Sequence, residues 1–363
     1  MDVILVIVGR DALKNASALT RIETLLNDRN FALNEVVYAE TKERAAEEIT
    51  RRKGDEVLFV ATGDIDELAV TLGTGVPEGM NRFSFNGMNV VLMRGYDENT
   101  IRETVIPLLN ARSRVTYNTV IFKTFGQTAD ALRERLKQVI KNRNKIVLEF
   151  VESGMTCDVR VRYSRATSST AITDIIGKIN EELSDCIYAL KDVTLAHAVA
   201  TRLLASGKKL CIAESFTGGG LASALIATPG MSNALIESIV CYSNDSKAER
   251  LGVPRKVIAD NGAVSADTAF EMANGLLADP ACDVAIATTG NAGPTAEAGS
   301  QVGLFYIAIG DRHTIHVFEQ YKEVKDAEER PAEEIRREIT QAGIDTALFE
   351  LGKYLKENDR RDQ

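Results

Sequence analysis

Residues 213–252 read AESFTGGGLASALIATPGMSNALIESIVCYSNDSKAERLG. The apolar run 210–213 just before Glu214 predicts a buried strand, and residues 221–228 predict a short helix. Ser215 lies at the turn between them. Side chains at such strand-to-helix turns sit on rigid backbone and face a crevice. The stretch therefore predicts an α/β fold with a site at this turn.

Strand and helix patterns alternate in the first hundred residues and again after residue 190, which favours parallel sheets covered by helices. Between them the pattern changes to that of a compact α+β module. A chain of 363 residues also exceeds what one hydrophobic core usually organises. We predict an N-terminal three-layer α/β domain (1–112), a small α+β middle module (113–190) and a C-terminal α/β domain (191–363).

The formal net charge of -9 argues against a nucleic-acid or anionic-membrane partner, because both require a positive surface. The basic stretch 133–145 has helical spacing, so we interpret it as a solvated helix face. Five cysteines occur singly, without a CxxC pair, which is typical of reduced thiols in the cytosol. No apolar run approaches the roughly 20 residues of a membrane span. We therefore expect a cytoplasmic protein.

A serine hydroxyl needs a neighbouring base to become a useful nucleophile. The three histidines lie in patterns typical of structural or surface residues, so Lys247 is the better candidate. It can act as a base only if burial lowers its pKa. We expect Tyr242 to orient the lysine or to relay its proton. The alternatives are that Ser215 is a helix N-cap and that Lys247 is a solvated helix residue.

Two glycine-rich turns flank this candidate site. The run 217–220 either allows tight packing or leaves free N–H groups at a helix N-terminus for a phosphate or an oxyanion. The turn 288–295 follows a predicted strand and suits close approach by a ligand. Neither a P-loop nor a full dinucleotide-binding pattern follows, so ATP and dinucleotide cofactors are not predicted.

Five segments in this order resemble the CinA family, specifically its C-terminal nicotinamide mononucleotide deamidase domain. They are AESFTGGG (213–220), PGMS (229–232), YSNDSKAERLGV (242–253), NGAVSADTA (261–269) and TGNAGP (289–294). The resemblance implies a Ser/Lys amidohydrolase that needs no metal or cofactor. In this interpretation Ser215 attacks the carboxamide carbon, Lys247 accepts its proton and Tyr242 assists. The products are nicotinate mononucleotide and ammonia.

We assign the remaining site residues to the small-molecule substrate: Thr217, Gly218, Gly219, Asn244, Gly290, Ala292, Gly293 and Arg337. The chain departs from the family pattern at Phe216, where a cysteine is usual, and in TAEAGSQVG after the second turn. These changes concern the phosphate side of the site. The alternative function is therefore a catalytically impaired scaffold or regulatory protein.

The upstream regions resemble the rest of full-length CinA, with a middle module marked by KTFGQTADALRERL and a divergent molybdopterin-binding-like N-terminal domain. Some relatives use that domain as a metal-dependent ADP-ribose pyrophosphatase, which is a further alternative. Here TGDIDELAV lacks the family's glycines, so we predict a degenerate domain and place Asp64 and Asp66 in a capped turn rather than at a divalent metal. The resemblance also implies a homodimer.

Overall fold

A computed structural model gives the fold of the chain. It describes residues 2–9, 16–27, 29, 31, 33–52, 57–63, 65, 67–74, 81–112, 117–139, 146–164, 167–296, 300–326 and 329–359. Asp64 and Asp66 lie outside the described residues. The α/β class predicted from the sequence is confirmed. The predicted division into three domains stays a prediction.

The chain separates into two compact units. The first unit comprises residues 1–120, 138–149 and 160–178, and the second comprises residues 121–137, 150–159 and 179–363. All the residues assigned to the candidate site lie in the second unit.

The described strands are β1 (Asp2–Val8), β2 (Leu33–Ala39), β3 (Val57–Gly63), β4 (Arg82–Phe85), β5 (Met88–Met93), β6 (Tyr117–Phe125), β7 (Ile146–Ser153), β8 (Thr156–Ser164), β9 (Ile187–Ala189), β10 (Leu210–Glu214), β11 (Leu235–Val240), β12 (Val284–Gly290), β13 (Leu304–Gly310) and β14 (Ile315–Tyr321). The described helices are α1 (Ala16–Asn27), α2 (Lys42–Thr50), α3 (Leu68–Thr71), α4 (Glu98–Thr100), which continues through a π-helical turn (Ile101–Val105) into α5 (Ile106–Arg112), α6 (Ala129–Leu136), α7 (Ser169–Glu182), α8 (Leu195–Ser206), α9 (Gly220–Ile226), α10 (Asn244–Leu251), α11 (Arg255–Asn261), α12 (Ala266–Leu276) and α13 (Ala332–Asp359).

The first unit contains a five-stranded sheet in the order β2-β1-β3-β5-β4, which is parallel except for the edge strand β4. Successive side chains point to opposite faces of a strand, and those of residues 3–8 in β1 are all buried. Leu5 packs with Leu26 of α1 on one face, and Val6 packs with Ile49 of α2 on the other. Helices therefore cover both faces of this sheet.

The second unit contains a five-stranded sheet in the order β11-β10-β12-β13-β14. Its first three strands run parallel. β13 pairs antiparallel with β12, and β14 pairs antiparallel with β13. All five residues of β10 are buried, as expected for a central strand with helices on both faces. Ile212 packs with residues of α8, α9 and α13, whereas Cys211 packs with residues of α12. The carboxyl ends of β10, β11 and β12 meet at one edge of this sheet.

A third sheet has four strands in the order β7-β8-β6-β9. Within the second unit, the ring of Phe125 at the end of β6 stacks on Phe349 of α13 at 4.6 Å between centroids. Among the described residues, no helix combines the length and the apolar character that crossing a membrane requires.

Two glycines inside helices, Gly275 in the second unit and Gly177 in the first, provide a matched test of local packing. A Cβ atom on Gly275 of α12 would lie 1.9 Å from the carbonyl oxygen of Leu251 at the end of α10, whereas one on Gly177 of α7 would meet nothing within 4 Å. We expect Gly275→Ala to lower the free energy of unfolding by about 1–3 kcal/mol through overpacking. Gly177→Ala should raise it by about 0.5–1 kcal/mol, because alanine is the better helix former.

Urea unfolding of the two variants and the unchanged protein measures both effects. Equal stability of Gly275→Ala and the unchanged protein would contradict the close contact between α10 and α12.

Candidate active site

Ser215 and Lys247 meet at the carboxyl edge of the parallel strands. Ser215 directly follows β10, and Lys247 lies on α10, which begins four residues after β11 ends. Because β10 and β11 are adjacent and parallel, their ends bring the two residues together. Nζ of Lys247 lies 3.0 Å from Oγ of Ser215.

The side chain of Lys247 is buried, with 1% of its surface exposed. Its Nζ also lies 3.0 Å from the carbonyl oxygen of Cys241 and 3.4 Å from that of Tyr242. Carbonyl oxygens only accept hydrogen bonds. A neutral amine, with two N–H groups and one lone pair, can therefore donate to both carbonyls and keep its lone pair for the hydroxyl of Ser215. This arrangement suits a general base.

The turn after Ser215 depends on two glycines with positive φ, Gly218 at 61° and Gly219 at 94°. Gly219 is the N-cap residue of α9 and has no side chain to cap the helix. Glu214 supplies the cap instead. Its carboxylate accepts from the N–H groups of Gly219 (2.9 Å), Leu221 (3.1 Å) and Ala222 (3.0 Å). These N–H groups at the start of α9 are therefore used within the protein.

Phe216, the residue after Ser215, anchors the turn in the core. Its side chain is buried and its ring lies 5.4 Å from that of Phe305. A Cβ atom on Gly343 of α13 would lie 2.3 Å from the ring, and one on Gly290 would lie 3.1 Å from it. The residue after the serine is thus a core anchor, and two glycines make room for it.

A cavity of about 170 Å³ opens beside the two residues. It is lined by Ser215, Phe216, Tyr242, Asn244, Lys247, Ala263, Val264, Thr289, Gly290, Asn291, Ala292, Gly293, Thr295 and Arg336. The second glycine turn thus forms one wall. The backbone N–H groups of Phe216, Ala292 and Gly293 have no acceptor among the described residues. They are the candidate donors for a bound anion or an oxyanion.

Arg336 at the start of α13 borders the cavity. Its guanidinium donates to the carbonyl oxygen of Gly293 at 2.7 Å and to the hydroxyl of Tyr242. The tyrosine side chain is 60% exposed. Tyr242 therefore contacts Lys247 through its backbone carbonyl, while its hydroxyl is bonded to an arginine.

The structure places some of the predicted site residues elsewhere. Asn244, Gly290, Ala292 and Gly293 line the cavity, but Thr217, Gly218, Gly219 and Arg337 do not. Thr217 is buried, with its hydroxyl 2.7 Å from that of Thr288. Arg337 lines a different cavity, together with Lys322 and Asp345. Neighbouring helix residues point about 100° apart, so only one of two adjacent arginines reaches the site.

Sequence reasoning missed Glu214 and Arg336 as site residues. The signal for Glu214 is a carboxylate at the end of an apolar strand, directly before the serine and a glycine run. Among the described residues, no group of three or more His, Cys, Asp or Glu side chains is arranged to hold a metal ion.

Residues 192–351 match the family model of the CinA C-terminal domain. The chain is 31% identical over 221 residues to a putative competence-damage inducible protein of Caldicellulosiruptor saccharolyticus, covering 60% of this chain and 54% of that protein. It is 34% identical over 259 residues to a CinA-like protein of Gloeobacter violaceus, covering 69% of this chain and 59% of that protein. The chain thus matches little more than half the length of these relatives.

Among solved structures, a CinA superfamily protein of Klebsiella pneumoniae is 32% identical, covering 45% of this chain and 96% of that chain with a TM-score of 0.40. A competence/damage inducible protein of Agrobacterium tumefaciens is 33% identical, covering 45% of this chain and 97% of that chain, also with a TM-score of 0.40. The chain therefore contains a CinA C-terminal domain at residues 192–351.

The packing of Phe216 yields a double-mutant test. We expect Phe216→Ala to lower the free energy of unfolding by about 3–5 kcal/mol, because it empties a well-packed core site. Gly343→Ala in the unchanged protein should cost about 1–3 kcal/mol through its clash with the ring. In the Phe216→Ala background the same glycine change should cost much less.

Urea unfolding of the four proteins gives the coupling between the two positions. Additive costs would mean that the ring of Phe216 does not pack on Gly343.

Proposed function

We propose that this protein is an amidohydrolase that converts nicotinamide mononucleotide to nicotinate mononucleotide and ammonia. The observation that carries the proposal is the 3.0 Å separation between Nζ of Lys247 and Oγ of Ser215, with the lysine only 1% exposed. The match to the CinA C-terminal domain supports it, and so does the cavity that opens at this pair.

In the first half of the reaction, Oγ of Ser215 attacks the carboxamide carbon of the nicotinamide group, and Lys247 takes the hydroxyl proton. The carbonyl oxygen becomes an oxyanion. The N–H group of Phe216 is our candidate donor for it, because this residue lines the cavity and its N–H has no acceptor among the described residues. The carbon–nitrogen bond then breaks, and Lys247 returns its proton to the leaving nitrogen as ammonia forms.

In the second half, water attacks the ester formed with Ser215. Lys247 accepts a proton from this water and returns one to Oγ as the ester bond breaks. The sum is one amide and one water converted to one carboxylic acid and one ammonia. Lys247 acts alternately as base and as acid, so this one residue can carry out both proton transfers in each half of the reaction.

The anionic end of the substrate needs hydrogen-bond donors in the cavity. Arg336 and the N–H groups of Ala292 and Gly293 form the available set. The glycine turn at Gly218 and Gly219 is a poor alternative, because the carboxylate of Glu214 already occupies that helix N-terminus. We therefore place the phosphate at Arg336.

Ammonia release from nicotinamide mononucleotide tests the reaction. We expect the unchanged protein to release ammonia without added metal, and Ser215→Ala to lose the activity by about 10⁴-fold or more, because no nucleophile is left. Lys247→Met should lose about 10²–10⁴-fold, the usual contribution of a general base. Coupled detection of ammonia and of nicotinate mononucleotide measures both.

His197→Ala serves as the control, since His197 interacts with Thr228 and does not line the cavity. Its activity should stay close to that of the unchanged protein. If purified unchanged protein releases no ammonia, or if Ser215→Ala retains full activity, the proposed reaction is wrong.

The adjacent arginines test the phosphate position. We expect Arg336→Ala to raise KM for nicotinamide mononucleotide by about 10-fold or more, because it removes a charge-assisted contact. Arg337→Ala should leave KM within about twofold, because it lines a different cavity. Steady-state kinetics of both variants decides the matter, and the reverse pattern would place the phosphate on the other side of α13.

A further inference from the structure

Glu214 is an ionisable residue with no exposed surface, and it lies directly before the candidate nucleophile. Burying a carboxylate is costly unless its oxygens are hydrogen-bonded. Here Oε2 accepts from two N–H groups and Oε1 from a third, all at the start of α9. The partial positive charge of a helix N-terminus also favours a carboxylate there.

These bonds close a loop around Ser215. The chain leaves Glu214, passes through Ser215, Phe216 and the glycine turn, and enters α9, whose first amides return to the carboxylate of Glu214. The backbone N–H of Ser215 is held separately by the carbonyl oxygen of Thr288 at 3.1 Å. The nucleophile thus lies inside a turn that is fixed at both ends.

The backbone of Glu214 also reaches the lysine side of the site. Its carbonyl oxygen accepts from the N–H of Cys241 at 2.8 Å. The carbonyl oxygen of Cys241 in turn accepts from Nζ of Lys247 at 3.0 Å. Glu214 is therefore linked to the amine of Lys247 through one residue, Cys241, and it directly precedes Ser215 in the chain.

We infer that Glu214 is a positioning residue whose carboxylate holds the turn of Ser215 at the distance from Lys247 that proton transfer requires. The inference rests on the proposed function, since it deepens the role of the same site. The proposed role concerns the position of Ser215 and differs from a contribution to the stability of the domain. A misplacement of about 1 Å is enough to cost about 100-fold in rate.

Glu214→Gln is the sharpest variant because it keeps the size of the side chain. A glutamine amide has one acceptor oxygen, and its NH₂ group would face an N–H donor of α9. We expect kcat for nicotinamide mononucleotide to fall by about 100-fold, with KM within about threefold. Glu214→Asp keeps the charge but shortens the side chain, so its kcat should lie between that of the unchanged protein and that of Glu214→Gln.

Thr194→Ala is the matched control for lost helix capping. Thr194 caps α8, where its hydroxyl accepts from the N–H of His197 at 3.2 Å, and neither residue lines the cavity. We expect this variant to lower Tm while kcat stays within about twofold. A purely structural role for Glu214 would give the same pattern, a lower Tm with an unchanged kcat at temperatures where the variant is folded, and would overturn the inference.

A second readout does not depend on the substrate. A fluorophosphonate probe reacts with an activated serine by forming an Oγ–P bond while fluoride leaves and the hydroxyl proton passes to the base. Mass spectrometry locates the label, with Ser215→Ala as the blank. We expect the labelling rate of Glu214→Gln to be about 100-fold below that of the unchanged protein.

The two readouts separate the two ideas. If the unchanged protein is labelled at Ser215 and Glu214→Gln reacts far more slowly, the inference holds even if nicotinamide mononucleotide is not hydrolysed, and only the proposed substrate is wrong. Equal labelling rates for the two proteins, or no labelling of Ser215 in the unchanged protein, would overturn the inference.

Discussion

The site depends on the burial of one amine. Lys247 contacts the hydroxyl of Ser215 and the carbonyl oxygens of Cys241 and Tyr242, and almost none of its surface meets solvent. Each of these oxygens lies at the end of β10 or just after β11, so the parallel pairing of two strands sets the geometry. Burial of this amine lowers the stability of the fold, a cost that is typical of sites arranged for activity.

The surrounding elements keep this amine and its neighbour in place. Ser243 caps α10 by accepting from the N–H of Ser246, which sets where the helix begins and therefore where Lys247 lies. Phe216 anchors the serine turn against α13 through Gly343, and Glu214 ties the same turn to α9. The hydroxyl of Ser215 is thus positioned by the ends of two strands, the start of a helix and an aromatic residue of the core. This is expected for a site built on rigid elements.

The α/β class could be predicted from the sequence because alternating strand and helix patterns leave few other architectures. The pairing of Ser215 with Lys247 could be predicted because a serine nucleophile needs a base and the histidines lie in structural or surface patterns. The choice between Arg336 and Arg337 did not follow, because helix periodicity gives the spacing of side chains but not the rotation of α13 against the sheet. The glycine turn misled for another reason: the sequence does not show which N–H groups find acceptors within the protein. In the fold Gly219 donates to Glu214, and Gly218 and Gly220 donate to the carbonyl oxygens of Ser215 and Thr217.

Arg336 uses its guanidinium on Gly293 and Tyr242, which accounts for two of the five N–H donors that an arginine carries. The others can meet an incoming anion while both existing bonds remain. Admission of a ligand would then need no displacement of α13.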